Sequence, residues 1–146
     1  MNPTIEDFVQ SKRLAVVGVS RSGKKFGNAI YTELKQRGYQ VFIIHPEAQE
    51  IAGERCYPNL AAVRGQVDGV VINVSPVKAK QALREAVEAG ITKIWLQQGS
   101  DNAEVLALAR ELGVTVISGK CILMYAQPVK SIHGWHRAIA KVFGQL

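Results

Sequence analysis

Residues that could bind a phosphate follow the first strongly apolar run of the chain. The segment "VVGVSRSGKKFGNAI", residues 16–30, passes from β-branched residues through glycines and serines to lysines and then to a helical pattern. Glycines let a backbone approach an anion closely, and the N–H groups at a helix N-terminus can then donate to it. Arg21, Lys24 and Lys25 add three positive charges to this turn. Three cations exceed what one diphosphate needs, so the segment predicts a ligand that carries an additional phosphate.

The same turn does not make a site for ATP and magnesium. Gly18, four residues, Gly23 and Lys24 match the phosphate loop of ATPases, but that loop continues with Ser or Thr, whose hydroxyl binds Mg²⁺. Lys25 stands there instead, and its ammonium would repel the metal. No predicted strand ends in an acidic residue that could hold the ion, since Asp68 precedes its strand. The sequence therefore does not favour an ATPase.

A dinucleotide site is the second alternative. Gly18, Ser20 and Gly23 fit a degenerate G-x-G-x-x-G pattern, placed after a strand and before a helix. NAD-binding proteins also carry an acidic residue about 20 residues further on, at the end of the second strand. Here that strand, "VFII", is followed by His45 and Pro46. NAD(P) would lack its usual ribose partner, so an NAD(P)-binding oxidoreductase remains only an alternative.

The elements that position this turn follow one repeated pattern. In "YTELKQRGYQVFII", "LREAVEAGITKIWL" and "LALARELGVTVIS", a helical pattern ends in a glycine and a short apolar run follows. A glycine suits the left-handed residue that ends many helices, and short β-branched runs are typical of strands. We predict strands at 14–19, 40–44, 69–74, 92–96 and 114–117, helices at 26–37, 77–89 and 102–112, a short edge strand near 55–57 and a short helix near 59–63.

Alternating strands and helices predict an α/β fold with a mainly parallel sheet. The strands are apolar throughout, as strands buried on both faces are. We therefore expect a doubly wound three-layer sandwich of five or six strands in the order 3-2-1-4-5-6. The ligand would lie beyond the carboxyl ends of the strands, between the first and the fourth. We expect the 146 residues to form a single domain, with a core at about 12–125 and a helical tail at about 131–144.

The motifs resemble those of the small stand-alone CoA-binding proteins, a family with a Rossmann-like CoA-binding domain. The chain is also similar to the N-terminal domain of the succinyl-CoA synthetase α subunit. The resemblance covers about residues 12–125 and is carried by "GVSRSGKKFG" after the first strand, "GERCYPNL", "WLQQGS" after the fifth strand, and "GVTVISGKCILM". It implies a Rossmann-like fold that binds coenzyme A or an acyl-CoA.

The resemblance also implies which residues bind the cofactor. They are Gly18, Val19, Ser20, Arg21, Ser22, Lys24, Lys25, Phe26 and Gly27 after the first strand, His45 and Pro46 after the second, Val74, Ser75, Pro76 and Lys78 after the fourth, and Gln97, Gln98 and Gly99 after the fifth. Two positions depart from the family: His45 replaces an Asn, and Gln97 stands where synthetase relatives have Glu or a similar polar group. Ser75 and Pro76 would also suit a plain helix N-cap.

Within the loop after the first strand, we assign Lys25 to the diphosphate, because it directly precedes the start of the helix. Arg21 and Lys24 lie on the more exposed part of the turn, and either could reach the 3′-phosphate of the ribose. The alternative for the lysines is a solvated helix cap without a ligand.

The net charge of +6 fits a polyanionic ligand, a nucleic acid or an acidic membrane surface. No nucleic-acid-binding motif accompanies it, so we expect a small-molecule CoA ligand and no nucleic acid. No apolar run approaches the roughly 18 residues that suggest a membrane span, and the N-terminus has no apolar signal segment. We therefore expect a cytoplasmic protein.

No complete catalytic or metal-binding constellation is visible. Cys121 follows the last strand, as in relatives, but no histidine lies near it in sequence to act as a base. His133 and His136 with Cys121 make only a weak zinc pattern. We expect no independent catalysis and no metal, with a subunit of a CoA ligase as a further alternative. The apolar stripe of the tail, which includes Trp135, would suit a homodimer.

Overall fold

The computed structural model describes residues 5–126. The predicted tail, with His133, Trp135 and His136, lies outside these residues. In chain order the elements are α1 (Ile5–Val9), β1 (Arg13–Val17), α2 (Phe26–Gln36), β2 (Gln40–Ile44), β3 (Glu50–Ile51), β4 (Glu54–Tyr57), β5 (Gly69–Ile72), α3 (Pro76–Glu88), β6 (Ile94–Gln97), α4 (Ala103–Glu111) and β7 (Val116–Lys120), with 3-10 helices at Leu60–Val63 and Ile122–Met124.

One sheet joins seven strands in the order β3-β4-β2-β1-β5-β6-β7. All neighbouring pairs are parallel except β3 and β4. Without β3, the six parallel strands follow the predicted order 3-2-1-4-5-6, so the doubly wound α/β fold is confirmed. The predicted count of five or six strands is one too low, because the sheet also contains the two-residue strand β3. This strand pairs with β4, the predicted edge strand.

The hairpin that adds β3 depends on two residues with left-handed backbone angles. Ala52 has φ +54° and Gly53 has φ +79°. Two consecutive positive φ values between antiparallel strands are those of a type I′ turn, whose twist matches the strands it joins. Such turns are usually signalled by Asn-Gly or Asp-Gly, and Ala-Gly is a weaker signal. The sequence pattern therefore did not reveal this strand.

Helices cover both faces of the sheet, as the three-layer prediction requires. Alternate strand residues point to opposite faces, so Ala15 belongs to the core cluster that holds residues of α3 and α4, while Leu14 and Val16 belong to the cluster that holds residues of α1 and α2. The short helix α1 was not predicted. Its Phe8 is fully buried and lies against Trp95, with 5.2 Å between the ring centroids.

The central strands end earlier than predicted, at the edge where their carboxyl ends meet. β1 ends at Val17 and β5 at Ile72, whereas the predicted strands ran to residues 19 and 74. Gly18 explains the early end of β1, because its φ of +122° turns the chain out of the ladder. The backbone after both strands is thereby released into loops at the sheet edge.

Candidate functional site

Two glycines bring helix α2 directly against the end of β1. A Cβ atom on Gly18 would lie 2.0 Å from the carbonyl oxygen of Asn73, in the loop after β5. A Cβ atom on Gly27 would lie 2.1 Å from the carbonyl oxygen of Gly18. Both distances are far below van der Waals contact, so neither position has room for a side chain. These glycines therefore place the N-terminus of α2 directly beside the carboxyl ends of the neighbouring strands β1 and β5.

The loop between β1 and α2 is held by its own polar groups. The side chain of Asn28 clamps Ser20: Oδ1 accepts from the Ser20 N–H at 3.0 Å, and Nδ2 donates to the Ser20 carbonyl at 2.8 Å. The Ser20 hydroxyl accepts from the Ser22 N–H at 3.1 Å, and the Ser22 hydroxyl accepts from the Lys24 N–H at 3.2 Å. The two serine hydroxyls thus accept hydrogen bonds from within the loop and hold its shape. Asn28 is a positioning residue that the sequence patterns did not reveal.

The N-terminus of α2 is exposed at Lys25 and Phe26, whereas Gly27 directly after them is buried. Lys25 is the N-cap, and it makes no side-chain cap bond. Within residues 5–126, the backbone N–H groups of Phe26 and Gly27 donate to no protein acceptor, and the first turn holds no acidic residue. Lys24 and Lys25 are exposed beside it, along a groove of about 590 Å³ that continues over α2 to Thr32. Free N–H groups, the helix dipole and two ammonium groups together favour bound anionic oxygens.

Val19 differs from its neighbours in this loop because its side chain is buried in the core. Phe26 shows the opposite behaviour, since half of its surface is exposed at the start of α2.

His45 organises the loop after β2. Its Nδ1 accepts hydrogen bonds from the N–H groups of Glu47 at 3.1 Å and Ala48 at 2.9 Å. An Asn side chain makes the same kind of turn through Oδ1, which occupies a comparable position on the side chain. His45 therefore forms a side-chain turn of this kind through Nδ1. Pro46 is exposed beside it.

A groove of about 560 Å³ lies next to this loop. It is open to solvent and has both acidic and basic side chains along it. Its lining is His45, Pro46, Glu47, Ala48, Gln49, Glu50, Arg55, Cys56 and Pro58. Burial, and secondarily the negative charge of Glu50, raises the pKa of the Cys56 thiol, so this cysteine is a poor nucleophile.

The loop after β5 completes the edge on the other side of β1. The Val74 N–H donates to the hydroxyl of the buried Ser100 at 2.9 Å, which ties this loop to the one after β6. Ser75 and Pro76 begin α3 in the N-cap and N1 positions, as their types suggest. However, the exposed Ser75 hydroxyl makes no cap bond. Lys78 is exposed on the first turn.

The adjacent residues Gln97 and Gln98 differ in burial: the side chain of Gln97 lies inside the protein and that of Gln98 is exposed. The amide of Gln97 is buried: Nε2 donates to Cys121 Sγ at 2.9 Å, and Oε1 accepts from the Ile122 N–H at 3.0 Å. Gln98 and Gly99 are exposed at the carboxyl end of β6. In this structure Gln97 positions the segment after β7, and Gln98 and Gly99 are the two that face outward.

The described part of the chain, residues 5–126, holds no group of three His, Cys, Asp or Glu residues that could bind a metal ion. Within the same range no helix is both long and apolar enough to cross a membrane.

A family model described as a CoA binding domain matches residues 12–127. The uncharacterized protein YneT of Bacillus subtilis is 29% identical over 119 residues, which are 81% of this chain and 88% of that protein. The alpha subunit of the ADP-forming acetate–CoA ligase II of Pyrococcus furiosus is 25% identical over 81% of this chain, but the match spans only 28% of that subunit.

Among solved structures, a conserved hypothetical protein from Pyrococcus furiosus superposes with a TM-score of 0.73 and 34% sequence identity. The match covers 77% of this chain and 97% of that one. The likeness therefore extends over nearly the whole of another small protein.

Proposed function

This chain belongs to the CoA binding domain family, and from that premise we propose that it binds coenzyme A or an acyl-CoA at the carboxyl edge of its sheet. The observation that carries the proposal is the N-terminus of α2. The N–H groups of Phe26 and Gly27, which donate to no acceptor within residues 5–126, and the exposed Lys24 and Lys25 fit a diphosphate, which CoA carries at its centre. When bound, CoA would supply a thiol or thioester at the far end of the pantetheine arm.

The diphosphate in this position directs the two ends of the ligand to opposite sides of β1. The groove beside His45 and Pro46 is within the roughly 300–1,000 Å³ of small-molecule sites and would take the adenosine. The pantetheine arm would run toward Ser75, Gln98 and Gly99, past the backbone of Val74. Gln97 would act through the segment it holds and not through a ligand contact.

We propose that the chain holds its ligand without turning it over. This rests on the absence, within residues 5–126, of a metal-binding cluster and of a Ser or Thr after Lys24. The second candidate is a subunit of a CoA ligase, favoured by the match to part of a ligase subunit. An NAD(P)-binding oxidoreductase is disfavoured, because His45 and not an acidic residue directly follows β2, and the first carboxylate after it, that of Glu47, lies in the following loop and is paired with Arg21.

The test is isothermal titration calorimetry with CoA, acetyl-CoA, NAD, NADP and ATP. We expect the CoA compounds to bind, and Lys25→Ala to weaken CoA by about tenfold, since hydrogen bonds to charged groups contribute about 1.5–3 kcal/mol. Lys12→Ala is the matched control, because Lys12 is also exposed but precedes β1 at the opposite edge of the sheet. Binding of NAD or NADP without binding of CoA would overturn the assignment. Steady release of thiol or phosphate by the purified chain would overturn the absence of turnover.

A further inference from the structure

An ion pair connects the loop after β1 to the loop after β2, whose Glu47 lines the groove beside His45 and Pro46 that we assign to the adenosine (the adenosine groove). Arg21 Nη2, in the loop after β1, lies 3.8 Å from Glu47 Oε1, in the loop after β2. The two side chains are 62% and 76% exposed. Pairs this exposed contribute about 0–1 kcal/mol to stability, so the fold does not depend on this one. Both groups are free to exchange their partner for a ligand.

The backbones that carry these side chains are held in place. The Glu47 N–H donates to His45 Nδ1, and the Asn28 clamp holds Ser20 next to Arg21. A carboxylate and a guanidinium therefore converge over the carboxyl ends of β1 and β2. In doubly wound folds that bind dinucleotides, the adenosine ribose lies near this position, where a carboxylate accepts from its 2′-hydroxyl or an arginine contacts its 2′-phosphate.

We propose that Arg21 and Glu47 together read the 3′ position of the ribose of the bound ligand, an inference that rests on the proposed CoA binding. Arg21 contacts a 3′-phosphate, as in CoA. Glu47 accepts from the hydroxyls of a ribose that lacks this phosphate, as in dephospho-CoA, and repels the phosphate when it is present. The pair thus sets the preference between the two ligands, with the two residues acting in opposite directions.

The structure separates Arg21 from the other two cations of the loop. Lys24 and Lys25 line the groove that runs along α2, and neither of them lines the groove beside His45 or is paired with Glu47. Arg21 alone among the three is paired with a residue of the adenosine groove. Lys24 and Lys25 therefore act on groups that CoA and dephospho-CoA share, and Arg21 acts on the group by which they differ.

The experiment measures dissociation constants of CoA and dephospho-CoA by calorimetry at low salt, for the parent chain and the variants Arg21→Gln and Glu47→Gln. The quantity compared is the preference for CoA, the dissociation constant of dephospho-CoA divided by that of CoA. We expect Arg21→Gln to lower this preference about fivefold and Glu47→Gln to raise it about fivefold, near the upper end for exposed charges. Both shifts should shrink in about 1 M salt, where the Debye length is about 3 Å.

Glu111→Gln is the matched control, since Glu111 is an exposed carboxylate at the end of α4, lines neither groove and makes no ion pair within residues 5–126, and it should leave the preference unchanged. Circular dichroism checks that each variant is folded. A parent chain that binds neither ligand would overturn the proposed function and this inference with it. A parent chain that binds CoA, with a preference that fails to move in opposite directions in the two variants, would overturn the inference alone.

Discussion

Replacing Gln97 by Met distinguishes an internal role of this residue from a ligand contact. Met has a similar length and volume but no amide, so the substitution leaves little cavity and removes both hydrogen bonds of the side chain. The Nε2 bond to Cys121 Sγ and the Oε1 bond from the Ile122 N–H are both lost. The perturbation is thus confined to polar contacts at the end of β6.

The expected loss follows mainly from the Ile122 N–H. Ile122 is fully buried, and its N–H would lose its acceptor in a place where no solvent is available. A buried group left without a partner costs about 1–3 kcal/mol, and the weak bond to sulfur adds little. We expect Gln97→Met to reduce the free energy of unfolding by about 2 kcal/mol. For a chain of this size that corresponds to a fall in Tm of about 8 °C.

Urea unfolding followed by far-UV circular dichroism measures this loss, and calorimetry measures the affinity for CoA. Gln98→Met is the control, since Gln98 is exposed next to Gln97 and its substitution should change stability by less than about 0.5 kcal/mol. The opposite pattern would refute the reasoning: Gln97→Met as stable as the parent chain but weakened in CoA binding. Gln97 would then be a ligand contact, as the resemblance to the family implies.

Three further predictions concern other parts of the structure. Gly27→Ala should destabilise the chain by about 3 kcal/mol or more in urea unfolding, because the new Cβ would lie 2.1 Å from the Gly18 carbonyl oxygen; an unchanged midpoint would contradict the close packing. His45→Asn should retain CoA affinity, whereas His45→Ala should lose it by about fivefold, because only Asn can replace Nδ1 as the acceptor in the turn; equal affinities in calorimetry would show that the turn does not matter to the site. The hydrogen bond and charge of Arg13 lower the pKa of Asp68, so this carboxylate stabilises the fold above the unfolded value of about 4 and ceases to do so as the pH falls through its lower folded value. Asp68→Asn should therefore flatten the acid limb of a stability-against-pH curve by about 0.5 kcal/mol, a small effect because both side chains are partly exposed, and an identical acid limb would argue against the pairing.

The arrangement of the helices and strands could be predicted from the sequence because the residues that signal it lie within the elements themselves. Gly38, Gly90 and Gly113 each have a positive φ where a helix turns into a strand, the conformation for which glycine is selected. The five-residue helix α1 carried no such signal. Its position depends on burial of Phe8 against Trp95, a contact between residues far apart in the chain.

The candidate site was only partly readable for the same reason. The composition of the loop after β1 predicted an anion site, but it did not predict the ion pair of Arg21 with Glu47, which lies 26 positions further along the chain. The resemblance to the family implies that Gln97 contacts the ligand. Its hydrogen bonds to residues 24 and 25 positions away instead use its amide inside the protein. Sequence spacing predicts which strand end a residue occupies, but partners brought by other strands decide what its side chain does.

The β3–β4 hairpin has a consequence for how copies of this chain can meet. An uncovered parallel edge strand is a template onto which another chain can add a strand, a common route to aggregation. Here the hairpin ends the sheet with a strand of only two residues, and it carries the charged side chains of Glu50, Glu54 and Arg55, with Glu54 paired to Lys35. This edge is short and charged, so it offers another molecule few backbone hydrogen bonds with which to extend the sheet. We therefore expect that copies of the chain, where they associate, do so through helix or loop surfaces and not by extending the sheet at this edge.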